Sequence, residues 1–267
     1  MTALKAVILD WAGTTVDFGC FAPAVAFVQA FKRAGVEITV AEARRPMGAA
    51  KRDHIAAICA MPRVAAAWRE KHGGEPGETD VDELYSDFVP LQLRVIRDYS
   101  SLIPGTIEAA AEFRRRGLKI GTTTGYDAEM AAAVAGEARK AGFEPECVVS
   151  ASDVRAGRPA PWMALLAAMH MGVYPMAACV KIGDTIPDIG EGLNAGMWSV
   201  GVAATGNEVG MTESELGALP APERAAIIAS ARGKLAEAGA HYVVDSIADM
   251  PGVLDAIQSR LATGERP

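Results

Sequence analysis

Asp10 closes the apolar run "AVIL" and leads straight into a Trp-Ala-Gly-Thr-Thr turn. A carboxylate so placed can attack an electrophile, hold a metal ion, or only cap a helix. Two positions on, where a second acid could assist it, the chain carries Ala12. Further along, Thr124 ends "LKIGTTT", Arg158 sits within "SDVRAGRPAPW", and "GDTIPD" holds Asp184 and Asp188. Together these groups suit phosphoryl transfer through a covalent aspartyl intermediate. Asp10 would attack phosphorus, and Mg2+ on Asp10 and Asp184 would offset repulsion between carboxylate and phosphoryl oxygens. Thr124, the turn amides after Asp10, and Arg158 would hold those oxygens.

Each side chain has a plainer reading on its own. A strand-end aspartate is a passable helix cap, a loop arginine is usually a solvated cation, and "GDTIPD" alone could be a turn. Their recurrence at the ends of successive apolar runs favours chemistry, because an open parallel sheet binds ligands beyond the carboxyl ends of its strands.

Ala12 narrows the chemistry. Alanine can neither protonate a departing alkoxide nor activate water, although its backbone carbonyl could still ligate a metal. Something else must stabilise the leaving group, and the candidate lies in "MGAAKRDHI", residues 47–55. Ala49 and Ala50 favour helix, with Lys51 in its first turn. A helix N-terminus disfavours an ammonium, neighbouring Arg52 adds to that, and burial would lower the lysine's pKa further. A neutral amine is what imine formation requires. His54, three residues on and on the same helical face, is a candidate proton relay. Read alone, Lys51 would most often be a solvated lysine. Paired with the missing acid it gains meaning: if phosphorus is bonded to the carbon beside an aldehyde, an iminium lets that carbon depart as an enamine.

The elements that must position these groups follow from periodicity. Short apolar runs begin at Leu4, Leu118, Cys147, Ala178, Trp198 and His241 without strict alternation, which suits parallel strands buried on both faces. Helical segments lie between them, among them "TIEAAAEFRRRG" and "EMAAAVAGEARKAG", and the stretch from Thr212 to Gly239 reads as helical throughout. Strand then helix, repeated, predicts an α/β fold with a doubly wound parallel sheet. Between Asp17 and Tyr99 only helix-like pieces occur, too much chain for a loop. The expected organisation is a catalytic core from 1–18 and 100–267, with a helical cap domain, 19–99, inserted after the first strand. The Gly73-Gly74 and Pro76-Gly77 cluster reads as a turn within that cap.

The 267 residues are half hydrophobic and carry a net charge of −7, so a basic nucleic-acid footprint is not expected. No apolar run is long enough to span a bilayer, and no secretory signal opens the chain, so a cytoplasmic protein is expected. Cys20, Cys59, Cys147 and Cys179 form no CxxC pair and read as reduced thiols; Cys20 reads first as a packed small side chain.

The four motifs, "LDWAGTTVD", the strand-end threonine, the cation before a helix, and "GDTIPD", resemble those of the haloacid dehalogenase superfamily, where the insertion is a cap. The usual third-motif cation is lysine; Arg158 keeps the charge but presents a fork. With "MGAAKRDHI", "TTGYDAEM", "AGRPAPWM", "GVYPM" and "NAGMWSVGV", the chain resembles the phosphonoacetaldehyde hydrolases over nearly its whole length. That resemblance implies hydrolysis of a carbon–phosphorus bond to acetaldehyde and phosphate, in degradation of 2-aminoethylphosphonate. It implies Asp10 as nucleophile, Lys51 as Schiff-base lysine, and Mg2+ on Asp10, the Ala12 carbonyl and Asp184, with Asp188 in support. It also implies Cys20, Met47, His54, Gly125 and Tyr126 near the substrate, and a homodimer formed through the cap, whose helices are rich in Ala, Phe and Val. Three alternatives stay open: a phosphate-ester phosphatase or phosphomutase, a haloacid dehalogenase, and a non-catalytic phosphate-binding protein. Ala12 weighs against the first, the acids of "GDTIPD" against the second, and the intact Asp10, Asp184 and Lys51 against the third.

Overall fold

A computed structural model describes residues 3–267; Met1 and Thr2, part of the expected core segment, lie outside the described residues. The chain runs β1 (Ala6–Leu9), α1 (Phe21–Arg33), α2 (Val40–Arg44), α3 (Lys51–Cys59), α4 (Pro62–His72), α5 (Glu78–Ile96) and α6 (Thr106–Arg115). It continues with β2 (Lys119–Thr124), α7 (Ala128–Lys140), β3 (Cys147–Ser150), α8 (Trp162–His170), β4 (Cys179–Gly183) and α9 (Ile186–Asn194). The remainder is β5 (Trp198–Val202), α10 (Glu213–Ala218), α11 (Ala221–Glu237), β6 (Tyr242–Val244) and α12 (Met250–Ala262).

All six expected strands form one parallel sheet in the order β3-β2-β1-β4-β5-β6. The burial pattern explains why their sequences do not alternate in polarity. Val7 and Leu9 pack into a cluster containing Ala110, Phe113 and Leu254 of α6 and α12, whereas Ala6 and Ile8 pack against Met163, Ala164 and Ala167 of α8. Both faces of β1 are therefore covered, and every residue of it is buried. β1 has β2 on one side and β4 on the other, so its carboxyl end sits where the winding of the sheet reverses, the place such sheets bind ligands.

α1 to α5 all fall between β1 and β2, and among the described residues no strand interrupts them. α1 packs along α5 through stacked Phe27 and Phe88 rings, 4.3 Å between centroids. Their apolar side chains join the sheet's cluster through Trp11 and Val16, and Tyr85 on α5 donates to Asp127 at the start of α7 at 2.9 Å. The Gly73–Gly77 stretch does connect two helices, α4 and α5. The stretch from Thr212 to Gly239, expected to be helical, holds two helices, because the chain leaves the helical region at Leu219 and Pro220 starts α11 afresh. Among the described residues no helix is long and apolar enough to cross a membrane.

Candidate active site

Asp10 leaves β1 with its amide donating to the Ile182 carbonyl at 2.9 Å, which fixes the carboxylate at the sheet's edge. Arg158 Nη2 donates to Asp10 Oδ1 at 2.8 Å, and both side chains are buried. Burial pushes the Asp10 carboxyl up while the Arg158 guanidinium opposes it. Asp184, at the end of β4, accepts from Thr14 Oγ1 at 3.3 Å on one oxygen and from the Asn207 amide at 2.8 Å on the other. Burial pushes its carboxyl well up, and Asp10 and Asp188 add to that.

Asp188 lies one turn into α9. Thr185 Oγ1 donates to its Oδ2 at 2.5 Å, while Lys181 and Arg158 share its Oδ1 at 2.6 and 3.0 Å. Asp188 is thereby held below the ordinary carboxylate range despite its burial, which itself acts the other way as the largest influence. Asp10, Asp184 and Asp188 each offer an oxygen within 4.8 Å of the others, so the three could hold a metal ion. Their hard oxygens fit a small divalent cation, and so does the local charge. Four buried carboxylates (these three and Glu191) face two buried cations beneath them, Arg158 and Lys181, so with all of them ionised two negative charges are in excess, and one is still in excess when buried Lys51 of the pocket carries its charge. Asp188 is paired with two buried cations, whereas Asp184 accepts only from neutral donors and Asp10 pairs with one cation, which leaves Asp10 and Asp184 the better placed ligands.

A small pocket of about 20 Å³ opens over Asp10. Asp10, Ala12, Cys20, Met47, Lys51, Thr124, Gly125, Tyr126 and Arg158, all expected from the sequence, line it. Pro23, Gly48 and Thr185 line it too, and nothing in their types announced that. Gly48 has φ +93°, and a Cβ there would lie 2.2 Å from Thr185 Oγ1, so only glycine lets this loop reach the sheet edge.

Lys51 is the first residue of α3 and is buried, its Nζ 5.1 Å from the Tyr126 ring centre and 5.7 Å from that of Phe27. Burial lowers its pKa to about 8, with Arg158 contributing and Cys20, Asp10 and Asp184 opposing. The contribution expected from Arg52 is not found: that side chain points outward and pairs with Glu78 and Asp82 at 2.6 and 2.7 Å. The cation that acts on Lys51 comes from the opposite wall of the pocket.

Cys20, at φ +55°, is packed with Ala12, Ala24 and Met47, and burial pushes its thiol well up, so it faces the pocket as a neutral group. His54 does not line the pocket. Its ring stacks on Phe27, 3.9 Å between centroids, and Nε2 meets the Ala43 carbonyl at 2.8 Å, which makes Nε2 the protonated nitrogen. Burial holds it well below the usual histidine range, and Nδ1 is buried without a hydrogen-bond partner. The apolar rings of α1 and α5, Phe27, Phe31 and Phe88, are fully buried within the chain. Sequence reasoning missed Thr14 and Asn207 on Asp184, and Lys181 and Glu191 behind Arg158. Lys181 carried a signal, a lysine in mid-strand within "CVKIG", where both faces must be covered.

Comparison with known proteins places the chain in a family. Residues 4–196 match the haloacid dehalogenase-like hydrolases. The phosphonoacetaldehyde hydrolase of Nitratidesulfovibrio vulgaris is 51% identical over 264 residues, 99% of this chain and 94% of its own. A bifunctional phosphonoacetaldehyde hydrolase/aminoethylphosphonate transaminase of Clostridioides difficile is 45% identical over 96% of this chain and 40% of its own length. The crystal structure of a phosphonoacetaldehyde hydrolase-like protein from Oleispira antarctica superposes with a TM-score of 0.98 at 44% identity, covering 99% of this chain and 96% of that one. The chain belongs to the phosphonoacetaldehyde hydrolase family, within the haloacid dehalogenase-like hydrolases.

Proposed function

We propose that this chain hydrolyses phosphonoacetaldehyde to acetaldehyde and phosphate, with Lys51 and Asp10 each forming a covalent bond to the substrate. The observation that carries this reading is that one buried pocket has Asp10, Lys51 and Ala12 in its wall: a nucleophile, an amine of lowered pKa, and no second acid. Lys51 Nζ adds to the aldehyde carbon and water leaves, giving an iminium. Asp10 then attacks phosphorus; the carbon–phosphorus electron pair moves toward the iminium and yields an enamine. Protonation of that carbon and hydrolysis of the imine release acetaldehyde, and water cleaves the aspartyl phosphate. Thr124, Gly125 and Arg158 hold the phosphoryl oxygens, while Cys20, Met47 and Tyr126 shape the aldehyde side. His54, neutral and Nε2-protonated, relays a proton to or from Lys51 only through water or a shift of its ring.

Mg2+ fits Asp10, the Ala12 carbonyl and Asp184, where it would offset phosphoryl charge; Asp188 orders the group through Thr185, Lys181 and Arg158. We assign the segment up to residue 18 and residues 100–267 to a catalytic core and 19–99 to a cap that supplies Lys51. The substrate class agrees with the names of the relatives, one of which is joined to an aminoethylphosphonate transaminase, and this supports a place in phosphonate degradation. The absence of a membrane-crossing helix among the described residues is in keeping with a cytoplasmic enzyme. A homodimer through the cap rests on resemblance alone, and sedimentation of the purified protein tests it.

The deciding experiment is borohydride reduction in the presence of phosphonoacetaldehyde, with mass spectrometry of the Lys51 peptide. A substrate-dependent adduct, lost in Lys51→Arg, is the expected result. Phosphate release with no adduct would return the substrate question to phosphate esters. Chelation of divalent metal should stop phosphate release, and added Mg2+ should restore it.

A further inference from the structure

Behind Asp10 lies a layer of buried charge in which the proposed reaction gives Glu191 and Thr123 no part. The Arg158 guanidinium is gripped along its whole width: Nη2 donates to Asp10, Nη1 pairs with Asp188 at 3.0 Å, and Nε donates to Glu191 Oε2 at 2.9 Å. Nη2 also donates to the Thr123 hydroxyl at 2.8 Å, and that hydroxyl donates to the same Glu191 oxygen at 3.0 Å. Lys181 Nζ stands 2.6 Å from Asp188 and 3.5 Å from Glu191. Lys181, Glu191 and Thr123 are fully buried, and none of them lines the pocket.

The backbone is arranged to permit this. Asp188 and Glu191 lie three residues apart on one face of α9, and a Cβ on the intervening side at Gly192 would lie 2.9 Å from Lys181 Cβ and 2.8 Å from Ser199 Oγ. The helix therefore sits hard against β4 and β5, and its two acids reach different nitrogens of the same guanidinium. An ammonium carries its three protons on one atom and would need all three carboxylates gathered around a single point, whereas the guanidinium reaches them from three separate nitrogens.

We infer that Glu191 is a positioning residue, with Lys181 as its counter-charge: it holds the Nε side of Arg158 so that Nη2 faces Asp10, and this is why the cation at 158 is arginine. The inference goes beyond the proposed reaction and borrows from it only the assay.

The test is a double-mutant cycle of Glu191→Met and Arg158→Lys, with phosphate release, Lys51 trapping and the melting temperature read for each protein. Glu191→Met should lower kcat by about tenfold to a hundredfold with KM little changed, as is usual when a residue supporting a site is lost. Lys51 trapping should continue in that variant, because the amine lies on the other wall. Glu191→Gln, whose amide oxygen can still accept from Nε, should recover much of the loss. The double variant should be no slower than Arg158→Lys alone, because the grip is already gone. Additive losses, or Glu191→Met with wild-type kcat, overturn the inference. So does Glu191→Gln as damaging as Glu191→Met. Should Glu191→Met fail to fold, Thr123→Val in the same cycle asks the same question and must also be non-additive with Arg158→Lys. Calorimetric binding of inorganic phosphate to the same proteins needs no turnover, so failure of the imine reading would leave this test standing.

Discussion

Lys51 Nζ and the Tyr126 ring face each other 5.1 Å apart in a buried pocket, and among the described residues no carboxylate lies within ion-pair distance of the ammonium. Burial therefore dominates and brings the amine to about pH 8. Below that pH Lys51 is mainly charged and cannot add to a carbonyl. Substrate-dependent trapping on Lys51 should accordingly rise with pH through about 8 and level off above it. A flat profile between pH 6 and 9 would mean that the amine titrates elsewhere.

The same shift has a thermodynamic side. Between about pH 8 and the ordinary lysine range the unfolded chain binds a proton that the native state does not, so stability contributed by this group increases with pH. At neutral pH the charged amine costs up to about 3 kcal/mol. Lys51→Met, similar in shape and uncharged, should be inactive yet melt higher than wild type at pH 7. Equal melting temperatures would show that the pocket solvates the ammonium.

Asp17 behaves in the opposite sense. Its carboxylate accepts the Phe21 and Ala22 amides at 2.9 Å each, at the start of α1, yet burial raises it to about 7. The native state holds a proton that the unfolded chain loses near pH 4, so this group's contribution to stability falls as pH rises from about 4 to about 7. Asp17→Asn should remove that slope: relative to wild type, it should gain melting temperature at pH 8 compared with pH 5. Asparagine also tolerates the positive φ of 56° found there. A difference between the two proteins that does not change with pH would refute the assignment.

Gly48→Ala should separate folding from function. Its Cβ would strike Thr185 Oγ1 at φ +93°, in the loop that carries Met47 and precedes Lys51. The loop must withdraw from the sheet edge, and a displacement near 1 Å can cost about a hundredfold in rate. Near-normal melting with kcat/KM lowered by that order is the expected outcome; normal kcat/KM would show that the loop adapts freely.

Ala12→Asp should not yield an efficient phosphate-ester phosphatase. Ala12 packs against Cys20, Ala24 and Met47, so the new carboxylate meets apolar neighbours and the acids of the metal group. A loss of about 1–3 kcal/mol of stability is expected on melting. Turnover of p-nitrophenyl phosphate should stay slow; brisk turnover would show that Ala12 alone excludes ester chemistry.

Much of this arrangement was legible because it is local. All six strands announced themselves as short apolar runs, since a parallel strand covered on both faces leaves no room for polar alternation. Asp10, Thr124 and Asp184 were findable because the end of a strand is a place that sequence marks. What stayed hidden depends on through-space burial. Nothing adjacent in sequence says that Arg52 points outward while Arg158 forms part of the pocket wall, or that Glu191 pairs with the guanidinium. His54 shares a helical face with Lys51, but the ring of Phe27, 27 positions earlier in the chain, decides which way it is held. The break at Leu219 was visible as Pro220 and was overridden by the strong helical composition on both sides.

Asp10 projects from the sheet and Lys51 from the helices inserted after it, and each reaches the same pocket from its own wall. On the proposed chemistry, a substrate bonded to both is for a moment a cross-link between two parts of one chain. While that bridge exists, separation of the walls would have to break a covalent bond, so solvent cannot enter by simple opening. Cleavage between phosphorus and carbon cuts the bridge in its middle and leaves one half-product on each wall. The two products are then released by independent hydrolyses, and their order of departure is set by which stub water reaches first.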